Sequence, residues 1–193
     1  AIEKLIYKEK SVSFEQLKAA LKSDFKGHDE LRRKLLSCPK YGNDIDSVDQ
    51  KMSDLMGIFS ETVNSLKMTD NRGKFQCGFY SVMHHALLGM KTGASCDGRL
   101  SGTSLANSLS PAQGADKNGP TAVINSSSRV SMKYMGNGGV LDMKFIPSFF
   151  DKKNHVQAFR YMIETYFDEG GLEVQFNVVS AKTLREAQIS PEK

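Results

Sequence analysis

The chain predicts an α/β fold, and three observations carry that prediction. Its first third holds apolar residues at helical spacing behind helix-start signals. Leu172, Val174, Phe176 and Val178 alternate with polar residues, which is the period of a strand with one buried face. Between Val140 and that strand stands a segment of helical period, and strands separated by helices indicate α/β architecture.

The elements follow in order. Ser13-Phe14-Glu15-Gln16 fits a capping box, in which Ser13 and Gln16 satisfy free backbone donors of a first turn. Leu17, Leu21 and Phe25 continue at four-residue spacing, and Gly27 can end that helix. A second short helix covers about residues 29 to 38 and is ended by Pro39. Asp44 or Asp46 can cap a third, with the apolar stripe Val48, Met52, Leu55, Phe59, Val63 and Leu66. After Asn71-Arg72-Gly73 the pattern changes, and Lys74 to His85, rich in aromatic and apolar residues, reads as a buried strand. Residues 92 to 119 carry five glycines and five serines with no sustained period. A loop that long inside a compact domain is usually functional. Gly119-Pro120 restarts a helix that Thr121 to Arg129 continue, since proline is pre-organised for a first helical position. Val140 to Phe145 is a short strand ended by Pro147. Val156, Phe159, Ile163 and Phe167 form a helix stripe closed by Gly170-Gly171, and Ser180 caps a final helix after the 172–178 strand.

Composition narrows the function classes. Of the 193 residues, 39% are hydrophobic and 25% charged, the balance of a globular chain. No apolar run approaches the roughly 20 residues that span a bilayer, so no membrane partner is expected. The net charge of +4 is scattered, and its densest run, Arg32-Arg33-Lys34, fans out around a helix. A nucleic-acid surface gathers its cations on one face, so no nucleic-acid partner is expected either. Cys38, Cys77 and Cys96 are odd in number and lack metal-site spacing, which favours a reducing, cytoplasmic compartment. Ala1-Ile-Glu-Lys-Leu-Ile reads as a helix in progress and Ile189-Ser-Pro-Glu-Lys193 as the start of a loop, so both ends read as cut.

The short motifs carry little chemistry by themselves. His84-His85, placed on a strand, would face opposite sides and could not share one metal. No HExxH, CxxC or carboxylate cluster completes a metal site, and no metal or bound cofactor is expected. Gly136-Asn137-Gly138-Gly139 precedes a strand, whereas a phosphate loop follows one, so it reads as a turn. Asp97-Gly98-Arg99 could place a guanidinium against a carboxylate or hold a turn in register, and it reads as a turn, since Asp-Gly is common turn chemistry.

A series of longer motifs is more specific. Pro39-Lys-Tyr-Gly-Asn-Asp44, Thr92-Gly-Ala-Ser-Cys-Asp-Gly-Arg99 and the stretch Ser110 to Val123, ending Gly-Pro-Thr-Ala-Val, resemble segments of glycyl radical enzymes. Leu141-Asp-Met-Lys-Phe145 is similar to their LNMKF strand, with Asp142 in place of asparagine. Gly170-Gly-Leu-Glu-Val-Gln-Phe-Asn-Val178 is similar to their GG-x-x-x-QFNV strand, and Thr183 to Gln188 with Pro191-Glu-Lys193 to the approach of their glycyl loop. All six stand in the family's order along the chain. The set is closer to the dehydratase and C–N, C–S or decarboxylating lyase branch than to pyruvate formate-lyase itself.

The resemblance implies the C-terminal portion of a ten-stranded α/β barrel of the pyruvate formate-lyase type, dimeric when complete. Residues 1–193 would belong to one barrel domain, helical over 1–70, with strands and helices over 71–193 leading toward a glycyl radical loop. It implies a backbone glycyl radical, installed by a radical S-adenosylmethionine activating enzyme, and a thiyl radical that attacks a small substrate in the cytoplasm or in a bacterial microcompartment. The family's cysteine loop would precede Ala1 and its arginine-valine-x-glycine-tyrosine motif would follow Lys193, so no catalytic residue is assigned within the chain. Tyr80, Met83 and His84, on the segment before the DGR loop, are the expected substrate contacts, with Val123 and Phe145 as apolar lining. The competing expectations are a non-catalytic remnant or spare-part subunit, and a plain α/β binding module.

Overall fold

The computed structural model describes residues 1–69, 73–130 and 132–190, so the Asn71-Arg72 step and Pro191 to Lys193 lie outside the described residues. After an N-terminal π-helical turn, Glu3–Lys8, come α1 (Phe14–Lys22), α2 (Asp29–Ser37), α3 (Asp46–Ser65), α4 (His84–Met90) and α5 (Pro120–Ser128). Then follow β1 (Val140–Phe145), α6 (Lys153–Asp168), β2 (Glu173–Val178) and α7 (Ala181–Ile189).

The capping box forms: Gln16 N donates to Ser13 Oγ at 3.1 Å and Ser13 N to Gln16 Oε1 at 2.8 Å. The helix stops earlier than Gly27, because Asp24 and Phe25 take positive φ and turn Phe25 inward. Phe25 joins Leu5, Leu17, Ala20, Leu35 and Cys38 in an N-terminal core, against which Ala94, Cys96 and Leu100 of the long loop pack. All three cysteines are free thiols.

The centre of the fold is a β1–α6–β2 unit. The strands are parallel and in register from Val140↔Glu173 to Phe145↔Val178. One face of the pair is apolar: Leu141, Met143, Phe145, Val174 and Phe176 pack with Met162 and Tyr166 of α6 and with Val123 and Ile124 of α5. Full burial of a side chain such as Leu141 contributes about 1.5–3 kcal/mol. Tyr166 is fully enclosed, and its Oη donates to Glu173 O at 3.2 Å, tying the helix to the strand it precedes. The side of α6 that meets the sheet carries Phe159, Met162 and Tyr166, while Val156 and Phe167 of the expected stripe are exposed.

Two expectations are corrected. Lys74 to His85 is not a strand. Phe79 makes one parallel bridge with Gly139 and Lys74 one antiparallel bridge with Lys67, and then His84 opens a helix. The ladder stops because Ser81 N is spent on Ser108 Oγ at 3.0 Å and Val82 adopts φ +48°, reversing the chain. The second correction concerns α3. Neither Asp44 nor Asp46 caps it, since Ile45 is the N-cap and makes no side-chain bond. Its inward face is Asp49, Ser53, Met56, Gly57 and Ser60, while Leu55, Phe59 and Leu66 point away. Arg129 sets that rotation: its guanidinium is 3.0 Å from the fully buried Asp49 and 3.0 Å from the exposed Asp46, and it also pairs with Asp44. Ser126 Oγ donates to the same Asp49 carboxylate at 3.0 Å.

The Pro39–Asp44 motif is a structural knot. Asn43 Nδ2 donates to Lys40 O (3.1 Å) and Ala115 O (2.7 Å), while its Oδ1 accepts Lys117 N (2.8 Å) and Asn118 N (3.2 Å). Gly42, at φ +90°, lies flat on the Pro111 ring, where a Cβ would overlap it. Asn43→Ala is therefore expected to destabilise the chain by about 1–3 kcal/mol, read as a lower urea midpoint. Asp44 is also testable by pH. Hydrogen bonds from Asn125 and Arg129 hold its carboxyl below the ordinary 3.8, so its stabilisation is complete above that pH and is lost as pH falls through the lower folded value. Asp44→Asn is expected to remove that component from the acid melting profile.

Candidate functional site

The other face of the β1–β2 pair is polar, because strand alternation that buries Leu141, Met143 and Phe145 must turn Asp142 and Lys144 the opposite way. Register places Glu173 beside Val140, Gln175 beside Asp142 and Asn177 beside Lys144 on that same face.

Two groups of side chains gather against this face. Tyr80 Oη donates to Glu173 Oε2 at 3.2 Å. Gly138 allows it, since a Cβ there would overlap the phenol oxygen. Desolvation first, and then the Glu173 hydrogen bond, hold the phenol above its ordinary pKa, so Tyr80 remains a neutral hydroxyl. In the second group, Asn107 Nδ2 donates to Asp142 Oδ2 at 2.6 Å. Asn107 Oδ1 accepts from Ser81 Oγ and from Ser108 Oγ. Ser108 N donates to Ser81 Oγ at 3.1 Å, which reciprocates the Ser81 N to Ser108 Oγ bond. His85 Nδ1 stands 3.4 Å from Ser81 Oγ. Burial raises the Asp142 pKa, with Glu173 adding to the rise and His85 and Lys144 opposing it.

The segment carrying Tyr80 is strained. Val82 and Ser108 both have positive φ, and a β-branched residue there is an outlier. Such conformations cost about 1–3 kcal/mol and persist where the surroundings over-determine them, here through the Ser81–Ser108 pair. The same reversal exposes Tyr80, Met83 and His84 together, without the strand bulge that a ladder would have required. Val123 and Phe145 are buried within the apolar cluster on the far side of the sheet, and the structure does not bring them to Tyr80. Sequence reasoning passed over Ser81, Asn107 and Glu173, weighed His85 only as a possible metal-sharing neighbour of His84, and noted Asp142 only as a departure from a motif. For Asp142 and Glu173 the signal was present in the strands, whose polar residues alternate with the apolar ones: Asp142 and Lys144, then Glu173, Gln175 and Asn177.

The DGR loop is a scaffold. Arg99 donates to Leu100 O (3.0 Å), Thr103 O (2.7 Å), Thr92 O (3.5 Å) and Gly93 O. Ser95 Oγ donates to Asp97 Oδ1 at 2.5 Å. A groove of about 710 Å³ lies between this loop, the end of α2 and residues 112–118. Three of its cations are spent internally: Arg32 on Gly98 O, Arg99 as above, and Lys40 on Leu35 O and Cys38 O. The Gly136–Gly139 run is a turn, with Gly138 N donating to Met135 O at 2.8 Å. Among the described residues no group of three or more His, Cys, Asp or Glu could hold a metal ion, and no helix is long and apolar enough to cross a membrane.

Comparison with known proteins gives this geometry its context. The family model "Pyruvate formate lyase-like" matches residues 1–89, and the model "Glycine radical" matches residues 105–193. The chain belongs to the glycyl radical enzyme family, and its α/β architecture is a portion of the pyruvate formate lyase-type barrel. It is 33% identical over its whole length to the probable dehydratase YbiW of Escherichia coli strain K12, covering 25% of that protein. It is 34% identical to an isethionate sulfite-lyase of Desulfovibrio desulfuricans, of which it covers 24%. The solved structure of the B12-independent glycerol dehydratase of Clostridium butyricum in its glycerol-bound form superposes with a TM-score of 0.91 at 37% identity, over 99% of this chain and 24% of that one. The chain thus spans about a quarter of the length of the relatives it matches.

Replacing Val82 by glycine is expected to relieve the strained reversal and raise stability by about 1 kcal/mol, seen as a higher denaturant midpoint at unchanged slope.

Proposed function

We propose that this chain supplies one wall of a glycyl radical lyase or dehydratase that cleaves a C–C, C–O, C–N or C–S bond of a small substrate. The observation that carries the reading is the succession of pyruvate formate lyase-like and glycine radical matches along one chain. The polar face of β1 and β2 is its physical counterpart. In this reading residues 1–193 form part of one barrel domain, the complete enzyme is a cytoplasmic homodimer, and a radical S-adenosylmethionine activase is its partner. The glycyl radical supplies a thiyl radical that takes hydrogen from the substrate.

The residues of this chain then have three tasks. Tyr80, Met83 and His84 contact the substrate from the exposed reversal before α4. Val123 and Phe145 act from behind, fixing the strand whose other face carries Asp142. The paired face of β1 and β2 keeps water and other reactants from the radical path, since a carbon radical survives only where its partners are positioned and everything else is excluded. Gln175 and Asn177 offer amides toward that interior, and a buried amide without a partner costs about 1–3 kcal/mol. Their partners in this reading are backbone groups of the glycyl loop.

Neither a Gly-Cys-x-Glu or Cys-Cys loop nor an Arg-Val-x-Gly-Tyr motif occurs among the 193 residues. The 193-residue chain treated anaerobically with an activase is accordingly expected to give no lyase activity and no doublet in its electron paramagnetic resonance spectrum. The complete polypeptide carrying this segment is expected to give the doublet. A glycyl doublet from the 193 residues alone would overturn the assignment of the radical to another segment. In the complete polypeptide, Asn177→Leu is expected to lower radical yield severalfold at a similar melting temperature. An unchanged yield would mean that the amide face merely packs.

A further inference from the structure

The proposed function makes no use of the groove of about 710 Å³ between the DGR loop, the end of α2 and residues 112–118. Its volume lies in the range of small-molecule sites, about 300–1,000 Å³. Its charged lining is one-sided: Arg32, Lys40, Arg99 and Lys117 stand with one carboxylate, Asp97. Four cations less one carboxylate leave an excess of three positive charges. Among the described residues none of the four forms an ion pair with a carboxylate. Arg129 shows the opposite arrangement, a single guanidinium met by three aspartates.

The hydrogen bonds that these side chains make fix their places without neutralising them, because a carbonyl acceptor carries no net charge. Arg32 gives Nε to Gly98 O at 2.9 Å, which leaves both terminal nitrogens of its fork as donors. Lys40 Nζ is anchored on Leu35 O at 2.5 Å and Cys38 O at 3.2 Å, with a third proton still to give. Lys117 is held through its backbone, whose N donates to Asn43 Oδ1 at 2.8 Å, and its side chain lines the groove from the 112–118 side. Arg99 is engaged by carbonyls on both terminal nitrogens and contributes its charge alone. Burial lowers the Lys40 pKa; Cys38 and Asp97 oppose the fall, and Lys117 deepens it. An anion in the groove offsets that cost, since an opposite charge nearby favours the ionised amine. A guanidinium fork with two ammonium groups offers donors to the several oxygens of a phosphate. The excess charge matches a diphosphate more closely than a single phosphate, whose charge is about −1.5 to −2. Leu36, Pro39, Ile45 and Leu100 supply apolar lining for the rest of a ligand.

We propose that this groove is a binding site for a small molecule carrying a diphosphate group, held by Arg32, Lys40 and Lys117. The inference goes beyond the proposed function, and its test does not pass through the radical. Inorganic pyrophosphate is titrated calorimetrically into the complete, unactivated polypeptide and into its Arg32→Gln, Lys117→Gln and Lys152→Gln variants. Lys152, exposed at the start of α6 and outside the groove lining, is the control for general charge attraction. Melting curves identify any variant that fails to fold; if Arg32→Gln does, Lys117→Gln decides. Pyrophosphate is expected to bind, Arg32→Gln and Lys117→Gln each to weaken it about tenfold, and Lys152→Gln to leave it unchanged. A parallel titration with ADP separates the two sources of the group. Tighter binding of ADP assigns the apolar lining to an organic carrier, and equal affinity makes inorganic diphosphate itself the ligand. No pyrophosphate binding, an affinity unmoved in the folded groove variants, or an equal loss in Lys152→Gln would overturn the inference.

Discussion

The parallel pairing of β1 with β2 is the constraint from which the rest of the structure follows. Successive side chains on a strand cannot share a face, so burying Leu141, Met143 and Phe145 under α6 obliges Asp142 and Lys144 to face the other way. Parallel register then places Glu173, Gln175 and Asn177 beside them. The apolar half supplies the free energy that holds the unit together, and the polar half is the surface that this free energy positions. A one-residue slip would exchange the two faces and leave neither a core nor a site. Tyr166 guards against that slip at the end of α6, bonded to the backbone of Glu173 at the first paired position of β2.

Around this unit the chain is tied by polar knots more than by additional apolar layers. Asn43 joins two loops through four hydrogen bonds from one amide. Arg129 gathers Asp44, just before α3, and Asp46 and Asp49 of its first turn. Arg99 pins its own loop through backbone carbonyls. Asn43 and Arg99 belong to the motifs by which the family is recognised, yet their work here is architectural, as is that of Arg129. They fix where the polar face stands in relation to the reversal at Val82, and thereby where Tyr80 meets Glu173.

What could be read from the sequence follows from how local each determinant is. The capping box at Ser13, the Ser180 cap and the alternating strand through Val174 and Phe176 are set by residues within a few positions of one another, and they form as expected. Lys74 to His85 misled because its strand propensity is real, but Ser108, 27 residues from Ser81 in the chain, takes the backbone donor a ladder needs. The rotation of α3 was illegible for the same reason: Arg129 lies 80 residues from Asp49. Tyr80 could be singled out only through the family resemblance, which points to the segment before the DGR loop. Its partner Glu173, 93 residues away, could not.

The reversed polarity of α3 makes the helix respond to dissolved salt in two opposite senses. Its inward attachments near the N-terminus are ion pairs to Arg129, and added ions screen those pairs wherever water reaches them. Its outward face, with Leu55, Ile58, Phe59 and Leu66 exposed, is apolar, and strongly hydrated salts such as sulfate make the covering of such a face more favourable. The two seams of one helix are therefore tuned by ionic strength in contrary directions. A medium that loosens α3 from Arg129 is the same medium that drives its outer ridge against whatever apolar neighbour is at hand.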